Sequence, residues 1–204
     1  MDCEKQELFE AELKLLRSRE RHPYLNNFVE YLSKGDLVLD LGCGLLVNSH
    51  YLEDNGFKVF GMDISFEMLK EDNRKTVPLI CADGLRLPFK KNCFGGVILA
   101  DIVEHLPRAK IDEFMAEVQR ILKETGIIFL HVPLENSISY RILHRLGLIW
   151  SKNPNHLHDY NLKEIKQFIE SKKYKINWEH KDNGIFYFLG SYLRGIKPFI
   201  MCFS

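Results

Sequence analysis

Short apolar runs alternate with helix-length segments from Asp36 onward, and this alternation limits the possible folds more than any other feature of the chain. Five such runs stand at 37–39, 58–60, 78–80, 96–99 and 127–130. Strands that helices cover on both faces have near-continuous apolar sequences, and their right-handed crossovers make them parallel. The pattern therefore predicts an α/β fold with a doubly wound, mostly parallel sheet.

Helical spacing of apolar residues predicts the helices around this sheet. Residues 1–34 are expected to form two N-terminal helices, the second over 24–32. The clearest pattern runs from about Arg108 to Glu124, where the apolar positions form one stripe and Gly126 would end the helix. Such a stripe is expected to cover one face of the sheet.

The C-terminal part of the chain has a different pattern. Two β-like segments, 174–180 and 185–189, flank Asp182-Asn183-Gly184. An Asn-Gly pair between two such segments is a strong signal for a tight turn. The sequence therefore predicts a C-terminal antiparallel hairpin.

Composition and charge exclude several classes of protein. With 204 residues, 46% of them hydrophobic and 27% charged, the chain is of ordinary globular composition, and one domain is expected. The 28 basic and 28 acidic side chains balance, which disfavours binding along a nucleic-acid backbone. Five cysteines without a CxxC pair, together with an N-terminus that lacks a secretory signal, favour a cytoplasmic location. The apolar stretch 185–203 contains Arg194 and Lys197, so no membrane-spanning helix is predicted.

A glycine turn follows the first predicted strand directly. The strand 38–41 leads into Gly42-Cys43-Gly44, and glycines at this edge let a ligand approach the backbone closely. Asp63 ends the next strand, 21 residues after Gly42. A carboxylate at that position can accept hydrogen bonds from both hydroxyls of a ribose, so the pattern is typical of a nucleoside-binding sheet.

Two residues favour S-adenosylmethionine over a nicotinamide dinucleotide as the ligand. The dinucleotide motif needs a third glycine where Val47 stands. Asp40 lies beside the turn, where it would repel a pyrophosphate but attract the ammonium and sulfonium groups of S-adenosylmethionine. No Tyr-x-x-x-Lys sequence of a short-chain oxidoreductase is present.

Four ordered motifs carry a resemblance to a known family. They are Leu-Asp-Leu-Gly-Cys-Gly at 39–44, Gly-Met-Asp-Ile-Ser at 61–65, Ala-Asp-Gly-Leu-Arg-Leu-Pro-Phe at 82–89 and Asp-Ile-Val-Glu-His-Leu at 101–106. Over roughly residues 36–180 the chain resembles class I S-adenosylmethionine-dependent methyltransferases of the small-molecule group that includes ubiquinone and menaquinone biosynthesis enzymes. The resemblance implies a Rossmann-like sheet of seven strands in the order 3-2-1-4-5-7-6.

The resemblance also assigns roles to residues at the strand ends. The methionine moiety would lie on Asp40, Gly42, Cys43 and Gly44, the ribose on Asp63, and the adenine on Ile64, Asp83 and Gly84, with Ala100 as a wall of the pocket. This sequence departs from the family at two positions. Leu46 stands where a third glycine is common, and Gly95 replaces an aspartate at the entry to the fourth strand.

Catalytic candidates lie where strands end or in later loops. Methyl transfer mainly requires alignment of the reactants, and a base only where a hydroxyl or thiol must lose its proton. His105, Asp101 and His158 are the predicted catalytic residues, with Glu104, His131 and His156 as further candidates. A metal site formed by His156, His158 and Asp159 is the competing interpretation, but three such residues supply too few ligands, so no metal is predicted.

The chain is thus expected to be one methyltransferase domain with three parts. These are the N-terminal helices at 1–34, a cofactor-binding half at 36–132 and a substrate-side half with the hairpin at 133–204. We expect a small-molecule substrate, no nucleic-acid partner, S-adenosylhomocysteine as the product, and a monomer or homodimer. The tail 191–204 would pack on the domain or make a weak contact with a membrane surface. A non-catalytic nucleoside-binding scaffold and a protein or nucleic-acid methyltransferase remain the alternatives.

Overall fold

The structure, a computed structural model, describes residues 24–132, 156–158, 160–172, 174–176 and 198–203. Its helices are α1 (Leu25–Tyr31), α2 (Val47–Asp54), α3 (Phe66–Lys70), α4 (Arg108–Ile121) and α5 (Leu162–Ser171). Its strands are β1 (Leu37–Leu41), β2 (Lys58–Asp63), β3 (Leu79–Cys81), β4 (Phe94–Ala100), β5 (Leu122–Val132), β6 (Lys175–Ile176) and β7 (Pro198–Phe203). A 3-10 turn, Val103–His105, follows β4.

The seven strands form a sheet in the order β3-β2-β1-β4-β5-β7-β6. Every pairing between described strands is parallel. β1 lies at the centre of the N-terminal half, where Val38 is in register with Val59 of β2 and with Gly96 of β4. The predicted doubly wound α/β fold is confirmed, and the carboxyl ends of β1, β2 and β4 meet at one edge of the sheet.

Successive residues of each central strand pack into different cores, one on each face of the sheet. Leu39 and Val97 lie in the core that contains Phe114 of α4, whereas Val38 and Ile98 lie in the core of α1 and α2. Because side chains alternate along a strand, a strand that is apolar at every position is buried on both sides. This double burial explains the continuous apolar runs of the sequence.

The long helix α4 ends earlier than its sequence pattern predicts. It ends at Ile121, and Leu122 is already extended and pairs with Phe94 of β4. The backbone N–H of Cys93 donates to the carbonyl of Ile121 at 2.8 Å. The prediction of a helix to Glu124, ended by Gly126, is therefore wrong: pairing with β4 takes over at Leu122, and Gly126 lies inside β5.

The last strand, β7, lies in a segment for which the sequence predicts no strand. β7 consists of Pro198–Phe203 and is parallel both to β5 and to β6. Of the predicted hairpin 174–180 with 185–189, the structure describes 174–176, so its antiparallel pairing stays a prediction. The predicted strand 185–189 and the first N-terminal helix lie outside the described residues. Residues 198–203 of the tail lie in the sheet as β7. No helix in the described ranges is long and apolar enough to cross a membrane.

Each of the two departures from the family pattern has a packing explanation. Leu46 has a left-handed backbone with φ of 61°, the conformation that glycine adopts most easily, yet its side chain is fully buried. At Gly95, a Cβ atom would lie only 2.1 Å from Cγ of Asp36. The Asp36 carboxylate occupies that space, where it accepts from the N–H of Ser33 at 2.9 Å and pairs with Lys123 at 2.7 Å.

Candidate active site

The glycine turn after β1 is tied to the end of β2. The N–H groups of Gly42 and Cys43 both donate to the carbonyl of Met62, at 2.7 and 3.1 Å. Gly42 and Gly44 have positive φ values of 75° and 48°, which side chains adopt only with strain. A Cβ on Gly44 would meet no atom within 4 Å, so the turn leaves open space at this residue.

Asp63, at the end of β2, is predicted to bind a ribose, and its carboxylate holds the adjoining loops in place. One oxygen accepts from the N–H of Gly44 at 2.9 Å, and the other accepts from the N–H of Ser65 at 2.8 Å. A carboxylate has about four acceptor positions, so acceptor capacity remains for two hydroxyl groups. The next apolar side chains, Ile64 and Phe66, are 73% and 59% exposed, which is unusual for residues of this size.

Asp40 lies beneath the glycine turn and not on the surface of the site. It is 2% exposed, and one of its oxygens accepts from the hydroxyl of Ser49 in α2 at 2.6 Å. Burial raises its pKa to about 6; the Ser49 hydrogen bond opposes this shift, and the charge of Asp63 adds to it. A cation bound at the turn would favour the charged form of Asp40.

The loop after β3 lies beside the end of β2, at the same edge of the sheet. The exposed Asp83 accepts from the N–H of Leu85 at 2.9 Å, and the N–H of Ala82 donates to the carbonyl of Asp63 at 3.1 Å. Gly84 is needed for close packing, since its Cβ would lie 2.8 Å from the ring of Phe114. The motif residues of the first three strands therefore converge at one edge of the sheet.

At the ends of β4 and β5, Asp101 and His131 form a pair. Ala100 is in register with His131, and the chain turns at Asp101, which has a positive φ of 54°. The Asp101 carboxylate contacts Nδ1 of His131 at 2.5 Å, and its backbone N–H donates to the His131 carbonyl at 3.2 Å. Both residues are candidates from sequence, but only the parallel pairing of β4 and β5 shows that they lie in contact.

His105 lies in a second group with Glu104 and His156. The N–H of Leu157 donates to the carbonyl of Glu104 at 2.9 Å, and the rings of His105 and His156 are 4.9 Å apart in an edge-to-face contact. Side-chain donor atoms of the two histidines and Glu104 all lie within 4.8 Å of one another. The sequence predicts no metal because His156, His158 and Asp159 are too few ligands, whereas the structure brings His156 beside Glu104 and His105.

His158 belongs to a third group. Its ring lies 6.0 Å from that of Tyr160, and burial raises the pKa of this tyrosine to about 12. The Nε2 atom of His158 and the hydroxyl of Tyr160 are buried without a hydrogen-bond partner among the described residues. The three predicted catalytic residues therefore do not form one cluster: Asp101 pairs with His131, His105 with His156, and His158 with Tyr160.

The residues at the ends of β1 to β3 fit S-adenosylmethionine. Open space at Gly44 admits a ligand against the backbone, and the acid at position 40 suits a cation and not a phosphate. The remaining acceptor positions of Asp63 match the two hydroxyls of a ribose. Ile64 offers an exposed apolar surface beside that carboxylate, as an adenine ring requires.

Comparison with known proteins agrees with this geometry. Residues 39–130 match the family described as "Methyltransferase domain", of type 11. A demethylmenaquinone methyltransferase of Corynebacterium urealyticum is 36% identical over 95 residues, which are 47% of this chain and 40% of that protein. The matched stretch thus spans less than half of this relative.

Solved structures show the same fold over a larger part of the chain. A protein from Pyrococcus horikoshii superposes with a TM-score of 0.63 at 24% identity, covering 79% of this chain and 84% of its own. A SAM-dependent methyltransferase from Archaeoglobus fulgidus gives a TM-score of 0.61 at 21% identity, with coverage of 78% and 72%. The fold, the site and the matched family together identify residues 39–130 as a class I S-adenosylmethionine-dependent methyltransferase domain. S-adenosylmethionine is the cofactor of this class.

Proposed function

We propose that this protein transfers the methyl group of S-adenosylmethionine to a small-molecule acceptor. The observation that carries the proposal is the position of Asp63, whose carboxylate joins the open glycine turn to the end of β2. Hydrogen-bond acceptors, an exposed apolar side chain and a buried acid thus lie together at one edge of the sheet. The location at carboxyl strand ends is the usual one for ligands of such sheets.

On the cofactor side, each residue has a separate role in the proposal. Gly42 and Gly44 let the methionine part lie against the backbone, while Asp63 accepts hydrogen bonds from the ribose hydroxyls. Ile64 packs on the adenine, and Asp83 accepts from its amino group. S-adenosylmethionine, once bound, supplies a methyl group on a positively charged sulfur, which makes that carbon open to attack by a nucleophile.

On the acceptor side, we assign proton handling to the pair of Asp101 and His131. Asp101 contacts Nδ1 of the imidazole, so Nε2, which is buried in this structure, is the atom that would take a proton from an acceptor that reaches it. A carboxylate on the opposite nitrogen orients the ring and stabilises its charged form. Because alignment provides most of the rate in methyl transfer, we assign this pair a modest share of the acceleration.

The acceptor class is inferred from a relative's name and from the charge of the chain. The corynebacterial relative is named for demethylmenaquinone, a quinone-type acceptor, and the match covers 47% of this chain. The balance of 28 basic and 28 acidic residues favours a small molecule over a nucleic-acid strand. Cys43, Cys81 and Cys93 are free thiols, in keeping with the proposed cytoplasmic location.

Transfer of a radiolabelled methyl group tests this proposal. The purified protein is incubated with labelled S-adenosylmethionine and separate pools of quinols, phenols, amines, total RNA and a protein extract. Label in a small-molecule pool, reduced in Asp101→Asn and His131→Gln at unchanged cofactor affinity, supports the proposal. Label only in RNA or protein would overturn the acceptor class. Cofactor binding without transfer to any pool would instead indicate a non-catalytic scaffold.

A further inference from the structure

The 3-10 turn after β4 meets the segment 156–158 of the later loop. One backbone hydrogen bond, from the N–H of Leu157 to the carbonyl of Glu104, fixes this contact at 2.9 Å. It brings His156 beside His105, with the imidazole rings 4.9 Å apart and nearly perpendicular at 78°. Two residues that are adjacent in sequence, Glu104 and His105, thus gain a third partner from a distant part of the chain.

We propose that Glu104, His105 and His156 bind a divalent transition-metal ion. The structure places one donor atom from each residue within 4.8 Å of the other two. One carboxylate and two neutral imidazoles form a mixed oxygen and nitrogen ligand set, which suits Zn²⁺, Mn²⁺ or Fe²⁺ better than Ca²⁺. Three protein ligands leave at least one coordination position open.

Burial of the three side chains fits such a site. Glu104 is fully buried, whereas His105 is exposed and His156 is half-buried. A metal ion at this position would favour the charged form of the carboxylate, and burial fixes the position of that ligand. The site would therefore have one fixed ligand inside the fold and two imidazoles that close on the ion from the solvent side.

Metal binding would require a small contraction of the group. Ligand atoms at about 2.1 Å from an ion lie roughly 3 to 3.5 Å from one another. In the structure the three donor atoms are separated by up to 4.8 Å, which is wider. The imidazoles must therefore move inward by rotation of their side chains. The His105 side chain is exposed, so rotation about its own torsion angles leaves the backbone of the turn in place.

The position of the site gives the metal a role that rests on the proposed function. The turn Val103–His105 begins two residues after Asp101, on the acceptor side of the domain. An ion there could bind an oxygen atom of the acceptor through its open position and so orient the molecule beside the Asp101–His131 pair. The acceptor would then be a small molecule with an oxygen donor.

Metal binding can be measured without any substrate. Protein stripped with a chelator is titrated with Zn²⁺ and Mn²⁺ by calorimetry, and with Co²⁺ by visible absorption, which reports the ligand geometry. We expect one ion per chain, with affinity reduced more than about tenfold in His105→Ala and in His156→Ala. His50→Ala is the matched control, because it removes a histidine that contacts carboxylates of Asp72 and Glu53 outside the site.

Two results would overturn the metal proposal. One is the absence of stoichiometric binding of any of the three ions to folded wild-type protein. The other is wild-type affinity in both histidine variants. Because the buried Glu104 is needed for packing, Glu104→Gln is only a supplementary variant. S-adenosylmethionine affinity is measured in parallel, so a failure of the metal site and a failure of the methyltransferase proposal remain distinguishable.

Discussion

The carboxylate of Asp63 accepts a hydrogen bond from the backbone N–H of Gly44, 19 residues away in the sequence, at 2.9 Å. This bond joins the end of β2 to the turn that follows β1. The other carboxylate oxygen accepts from the N–H of Ser65 at 2.8 Å and so shapes the start of α3. One side chain therefore orders two loops of the cofactor site before any ligand binds, and preorganisation of this kind lowers the cost of binding.

Replacement of Asp63 by alanine tests its predicted contact with the ribose. We expect Asp63→Ala to weaken S-adenosylmethionine binding by about 1.5 to 3 kcal/mol, the range for a lost hydrogen bond to a charged group. Titration calorimetry measures the change, and circular dichroism verifies the fold. Asp112→Ala is the control, since the Asp112 side chain is 78% exposed and contacts Lys172, away from the cofactor loops. Equal affinity of folded Asp63→Ala and wild type would rule out the ribose assignment.

A matched pair of glycine variants tests whether the turn contacts the cofactor. Gly44 and Gly56 both have positive φ, 48° and 84°, and neither would place a Cβ within 4 Å of another atom. Gly44→Ala and Gly56→Ala should therefore each lose about 1 kcal/mol of folding free energy through backbone strain. Only Gly44→Ala should lose cofactor affinity, because its methyl group would enter the ligand space. A similar loss of affinity in both variants would indicate a general effect on stability.

The buried acid Asp40 should make stability depend on pH. Its folded pKa of about 6 is above the model-peptide value of 3.8, so the folded state holds the proton more tightly than the unfolded state. Stability from this group is therefore complete below pH 3.8 and is lost as the pH rises through about 6, a change of up to about 3 kcal/mol. Denaturant unfolding of wild type and Asp40→Asn is measured between pH 4 and pH 8 at about one-unit steps. The difference in unfolding free energy between the two proteins at each pH gives the contribution of Asp40.

The variant Asp40→Asn keeps an acceptor for Ser49 but cannot titrate. Its stability relative to wild type should therefore rise as the pH increases across this range. A constant difference between the two proteins would show that the carboxyl group does not titrate there. Because an added cation favours the charged form of Asp40, binding of S-adenosylmethionine to wild type should also release protons near pH 6, as calorimetry in buffers of different ionisation enthalpy can detect.

Gly95 and Asp36 should be strongly coupled in stability. A Cβ on Gly95 would lie 2.1 Å from Cγ of Asp36, so Gly95→Ala must displace that carboxylate from Ser33 and Lys123. We expect a cost of about 2 kcal/mol for Gly95→Ala and about 1 kcal/mol for Asp36→Ala. The double variant should cost less than the sum, because the clash is absent once the carboxylate is removed. Simple additivity would contradict this packing.

The cofactor half of the site could be predicted from the sequence because its signals are local. Asp40, Asp63 and Asp83 each stand at or just beyond an apolar run, and the parallel sheet brings these ends to one edge. The end of helix α4 was harder to predict. The apolar stripe of α4 continues beyond Ile121, and only the pairing of Leu122 with Phe94 shows where the strand begins.

The acceptor half could not be predicted to the same depth, because its contacts join distant segments. His131 was a candidate without a partner until the register of β4 and β5 placed it beside Asp101. His156 has too few candidate ligands near it in the sequence, and the contact of Leu157 with Glu104 brings Glu104 and His105 beside it. β7 is formed by 198–203, a segment whose mixture of apolar residues with Pro198 has no clear periodicity.

The measurement that tests the central claim most directly is titration of the purified protein with S-adenosylmethionine, S-adenosylhomocysteine and NAD in parallel calorimetry experiments. The geometry around Gly44 and Asp63 predicts micromolar binding of the first two ligands and no binding of NAD, since Asp40 disfavours a pyrophosphate. Binding of NAD alone, or no binding of any of the three ligands to folded protein, would contradict the assignment of this site to S-adenosylmethionine.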